Sequence, residues 1–267
     1  MSDTVLTATA PAGPTVTSTT RAPAAGWTGP RQVVGFLLTF LVAWGALDLL
    51  VSSPPTPLTT LTCLAVAGGT VALGERIVFR TAVRDIPRDL GLGRPRPAAV
   101  AVGGIVGGLV FATYLVGAAA LDVDLQIRSD WPVVLACALL FHGLTEELVW
   151  RGFVFAHLRD ATTFGRAVGW SVPLIALTHV PIIAGKGPVI GAMAVTSAAV
   201  TCLPMAHLWE HGGRTIWGPA ALHGLIGTWQ LFERDFPDSF SIVLVTGSIV
   251  VPLLALLWRP PSPTTAP

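Results

Sequence analysis

The segment FHGLTEELVWRGF, residues 141–153, places Glu146, Glu147 and Arg151 directly after a stretch without formal charge that runs from Trp131 to Thr145. An ionised side chain at the centre of a bilayer costs about 2.5–3.5 kcal/mol on insertion scales, so three in one apolar segment imply a task. On a helix Glu147 and Arg151 are four residues apart, on one face, and can pair. Glu146 is turned about 100° away, the angle between neighbours at 3.6 residues per turn. His142 lies on its face one turn earlier. The expected division is a structural ion pair for Glu147 and Arg151, with Glu146 left free to act as a base. Two other readings stay open: a purely structural interhelical network, and a carboxylate relay of the kind transporters use.

Two further histidines fall inside apolar stretches. PLIALTHVP carries His179 and GPAALHGLIGTWQ carries His223. At 1.5 Å of rise per residue, Glu146 and His179 sit about 18 Å into their spans and His223 about 12 Å, so tilted helices can bring them together. A metal reading would use His142, His179, His223 and a glutamate. The His-Glu-x-x-His spacing of zinc proteases is absent, because HGLTEE holds a single histidine, and no metal is expected. His157, His207 and His211 sit near span ends and read as interfacial or capping residues.

The elements that must position these groups are membrane helices. The chain is 52% apolar and 12% charged, against about 25% charge in ordinary soluble domains. Apolar blocks at 32–52, 58–78, 97–120, 131–158, 167–183, 188–209, 215–232 and 240–258 predict an all-α, polytopic membrane protein of about eight transmembrane helices. The transmembrane domain is expected over 31–258. Residues 1–30 and 259–267, rich in Ala, Thr and Pro, read as disordered tails. With the N-terminus inside, twelve of the sixteen Lys and Arg residues fall on the cytoplasmic side and three outside, so both termini are expected to be cytoplasmic in a multi-pass plasma-membrane protein. A net charge of +1 points to no nucleic-acid partner. Cys63, Cys137 and Cys202 lie in apolar blocks without disulfide or metal spacing.

With these residues in place, the chain resembles the CPBP family of intramembrane proteases, which groups CAAX prenyl endopeptidases with bacterial bacteriocin-processing and immunity (Abi) proteins. EELVWR matches the family's Glu-Glu-x-x-x-Arg motif. Its Phe-x-x-x-His motif corresponds to Ile175–His179 and its His-x-x-x-Asn motif to His223–Gly227, with Ile for Phe and Gly for Asn. RDLGLGRPRP is similar to the Leu-Gly-Leu loop that precedes the family's core, and the resemblance covers about 85–232. It implies an endopeptidase acting on a membrane-associated protein or peptide. Glu146 and His179 would activate water, His223 would stabilise the oxyanion, and Glu147 with Arg151 would hold the site, without a cofactor. The Gly at 227 removes one oxyanion donor. Gln230, seven residues after His223 on the same helical face, is the possible replacement, and an Asn installed at 227 is expected to raise activity. The same departure leaves open a non-catalytic scaffold or immunity protein, with a small transporter as a third reading.

Overall fold

The computed structural model describes residues 27, 29–51, 55–233 and 236–260. The two expected tails therefore lie almost wholly outside the described residues. The described chain is helical, with no strand beyond an isolated bridge between Ile127 and Phe232.

Eight principal helices follow in order. They are α1 (Pro30–Leu50), α2 (Pro57–Ile77), α3 (Pro97–Ala120), α4 (Trp131–Ala161), α5 (Phe164–Lys186), α6 (Pro188–His211), α7 (Trp217–Ile226) and α8 (Asp238–Val250). Proline opens α1, α2, α3 and α6, where its missing N–H is lost on no partner. At the start of α2, Thr56 and Thr59 cap each other's backbone N–H. The helix α7 continues as a 3₁₀ turn over Gly227–Leu231, and α8 likewise over Val251–Leu257.

Seven of these elements are long and apolar enough to cross a membrane, which bears out the all-α polytopic class. The difference from eight is the segment 215–232, whose α-helix spans only ten residues before tightening into 3₁₀. It still runs the depth of the bundle. At its start Ile216 N–H donates to Gly91 O and the Trp217 indole to Gly93 O, in the loop before α3. At its end Arg128 N–H donates to Leu231 O, in the loop after α3. The chain thus makes eight traverses with seven full-length helices. Consistent with an even number, the beginning of α1 and the end of α8 lie at the same end of the bundle. Phe36 meets His157 edge-on at the end of α4, and Trp258 O accepts from His207 near the end of α6.

The fourth helix is central. Its window is 56% buried, whereas the other six are 33% or less, and they turn Leu38, Val42, Leu49, Leu61, Ile105 and Val116 outward. An outer surface this apolar suits lipid rather than water. All three cysteines are free and buried.

A second buried polar cluster ties α2 to α4. His157, read from the sequence as interfacial, is 4% exposed. Its Nε2 is 2.7 Å from Glu75 Oε1, its ring stacks on Phe79 at 3.6 Å, and Thr81 Oγ1–H donates to Glu75 Oε2 at 2.7 Å. A carboxylate taken from water needs such partners. The sequence hides this one because 82 residues separate Glu75 from His157.

Candidate active site

Within α4 the stretches Leu139–Glu146 and Leu148–Phe155 are π-helical. Such i→i+5 turns are rare overall and frequent at functional sites. The Thr145 hydroxyl donates to Leu140 O, five residues back, along the widened turn. A wider turn shrinks the angle between neighbouring residues. Glu146 and Glu147, expected on different faces, consequently both reach one partner, His223.

Glycine sets the approach of α7 to this stretch. A Cβ on Gly143 would meet Ala220 O at 2.8 Å, and one on Gly224 would lie 3.2 Å from Leu139 Cα. Without those carbons the two backbones pack directly. Each glycine follows a histidine, His142 and His223, so the close contact carries both rings into one space, with centroids 5.8 Å apart. The Leu90-Gly91-Leu92 loop supports this from below. Gly91, at φ 73°, takes a conformation that favours glycine, and its carbonyl holds the start of α7.

The expected ion pair is present. Arg151 Nη1–H donates to Glu147 Oε1 at 2.9 Å, and both side chains are buried. The same oxygen accepts from His223 Nδ1 at 2.6 Å. His223 Nε2 lies 3.3 Å from Glu146 Oε2, so the ring bridges the two carboxylates. Exposure separates their surroundings: the Glu147 side chain is 0% exposed and that of Glu146 is 22%. One is sealed and the other is partly exposed.

His142 completes the group. Its Nδ1 is 3.3 Å from Glu146 Oε2 and its Nε2 is 2.8 Å from Gln230 Nε2. Gln230, offered by the sequence as an oxyanion donor, is thus 4% exposed and engaged with His142. The position of His142 one turn before Glu146 was legible, but its reach to Gln230 in the segment after α7 was not.

His179 is held apart from this cluster. Its Nδ1–H donates to Ile175 O at 2.9 Å, and Thr178 Oγ1 is 3.2 Å from the same nitrogen. Among the described residues it makes no hydrogen bond with Glu146. The donor atoms of His142, Glu146 and His223 lie within 4.8 Å of one another, a spacing that could hold a metal ion. Of the groups the sequence offered for a metal, His142, His223 and a glutamate are thus brought together, and His179 is not among them.

The arrangement offers a partly open carboxylate flanked by two imidazoles, with a buried carboxylate and guanidinium behind. This is suited to taking a proton from water and supporting charge that develops beside it. No curated protein matches the chain. Residues 128–229 match the family model described as Type II CAAX prenyl endopeptidase Rce1-like, a region that takes in all of α4, α5, α6 and α7, the end of the loop into α4, and every residue of the site except Gln230. In keeping with the CPBP resemblance, residues 128–229 form an Rce1-like region of a multi-pass membrane protein.

Proposed function

We propose that the chain is an intramembrane endopeptidase that hydrolyses a membrane-associated protein or peptide. The observation that carries the reading is the bridge from Glu146 through His223 to Glu147 and Arg151, set in an apolar bundle and partly open at Glu146. The Rce1-like match of the same region supports it.

In the proposed reaction Glu146 accepts a proton from water as its oxygen attacks the scissile carbonyl carbon. The carbonyl oxygen becomes an oxyanion. His223, held at Nδ1 by Glu147, supplies an Nε2–H donor when it carries both ring protons. Glu146 then returns the proton to the leaving nitrogen as the C–N bond breaks, giving a carboxylic acid, whose proton passes to the amine, so that a carboxylate and an ammonium leave. His179, at the position of the family's second motif histidine and with Nδ1 held by Ile175 O, assists the water through Nε2. Glu147 and Arg151 hold the ring.

The direct test uses purified protein in lipid nanodiscs and an internally quenched peptide with a prenylated C-a-a-X end. Cleavage by wild type and none by Glu146→Gln is the expected result. Equal cleavage by both would remove the proposed base.

A further inference from the structure

Gly227 and His142 compete for one space. An ideal Cβ on Gly227 would lie 2.9 Å from His142 Cδ2, closer than real Cβ atoms come, and 3.7 Å from Gln230 Nε2. With glycine there, the imidazole of His142 fills the volume that a side chain at 227 would take. The ring's protonation pattern follows from its partners. An amide nitrogen donates and does not accept, so Gln230 Nε2–H donates to His142 Nε2. In the neutral ring the proton must then be on Nδ1, where it faces Glu146 Oε2 at 3.3 Å.

We infer that His142 is a positioning residue for Glu146, with Gly227 as its clearance and Gln230 as the clamp on its tautomer. The ring and the amide thus lie against position 227, where the motif has Asn. The inference rests on the reading of Glu146 as the base. Its content is orientation: the Nδ1–H fixes one carboxylate oxygen so that the other meets water. His142 relays no proton, because the amide at its far nitrogen neither takes nor gives one.

Two measurements test this, and the first needs no substrate. In nanodisc protein labelled with ¹⁵N-histidine, the ring nitrogen shifts report the tautomer. His142 is expected to be neutral with its proton on Nδ1, and Gln230→Leu to move part of the population to Nε2–H. A wild-type ring with its proton on Nε2 overturns the inference. The second measurement is kinetic, with the quenched prenylated peptide. Because misplacing a reacting group by an ångström lowers rate about 100-fold, His142→Ala is expected to cut kcat by about that factor and leave KM unchanged. Gly227→Ala, which pushes the ring aside, is expected to act in the same direction.

The pair then separates positioning from general damage. Gly227→Asn in the wild-type chain is expected to lower kcat, because the new side chain meets the ring. In the His142→Ala chain the same substitution enters vacated space and is expected to raise kcat about tenfold, or about 1.4 kcal/mol. A rise in the wild-type chain, or no gain in the His142→Ala chain, overturns the inference. If wild type leaves the peptide intact, the hydrolase reading fails, while the ring spectrum still decides the unit of His142, Gly227 and Gln230.

Discussion

Glu147 Oε1 lies 2.6 Å from His223 Nδ1 while it also accepts from Arg151 Nη1 at 2.9 Å. The buried glutamate therefore does more than neutralise an arginine. It fixes the ring that spans both carboxylates, and so it couples the stability of α4 to the geometry at Glu146.

The two neighbouring glutamates are accordingly expected to fail differently. Glu146→Gln keeps the shape and removes the base, so turnover is lost at normal protein levels. Glu147→Gln leaves Arg151 buried without its charge partner, and breaking such a pair costs about 3–5 kcal/mol. Reduced membrane levels and a lower unfolding temperature in detergent are expected together with lost turnover. Immunoblots beside thermal unfolding curves check this. Equal levels for both variants would contradict the role given to Glu147.

The contact of α4 with α7 gives a second prediction. A Cβ at Gly143 has backbone, Ala220 O, at 2.8 Å and no flexible side chain to displace. Gly143→Ala is expected to destabilise the protein by about 1–3 kcal/mol, the usual range for overpacking, and to lower turnover by moving His223 away from Glu146. Gly165→Ala, where nothing lies within 4 Å, is the control expected to leave both unchanged. Thermal unfolding and peptide cleavage on the two variants decide it.

What the sequence made legible has a physical pattern. Apolar length exposed the full helices, and i,i+4 spacing exposed the pair of Glu147 with Arg151 and the placing of His142 near Glu146. Those relations lie within one helix. Relations between helices left weaker traces. Gly143 and Gly224 mark the close approach, but a glycine in an apolar run looks the same whether it faces lipid or another backbone. The π turns have no simple composition signal, so the shared reach of both glutamates to His223 was hidden. The Gly at 227 read as a missing amide. That the ring of His142 lies against it shows only once Gln230 and His142, 88 residues apart, are brought together.

Topology supplies a third prediction. Both described ends of the chain and the segment from Arg76 to Arg96 belong to one end of the bundle, and Arg159 in the last turn of α4, Arg166 in the first turn of α5 and Arg214 in the loop before α7 lie there. By the bias of basic residues that end is expected to be cytoplasmic. A cysteine introduced at Arg84, whose side chain is 89% exposed, is expected to resist a membrane-impermeant maleimide in intact cells and to react after permeabilisation. Labelling before permeabilisation would invert the orientation.

Metal removal supplies the last. His142, Glu146 and His223 have the spacing for an ion, yet their hydrogen bonds assign the nitrogens otherwise. Gln230 Nε2 donates to His142 Nε2, which puts the ring proton on Nδ1, the nitrogen that would have to offer a lone pair toward Glu146. A ligand set needs each donor deprotonated toward the ion. To bind one, the Gln230 amide would have to turn over and present its oxygen to His142 Nε2–H. Turnover is therefore expected to survive 1,10-phenanthroline in nanodiscs, and metal analysis of the purified protein to find far less than one zinc per chain. Stoichiometric zinc that is lost with His142→Ala, together with activity restored by adding zinc after chelation, would mean that the amide is turned. Glu146 would then serve as a ligand, and the water would be activated by the ion.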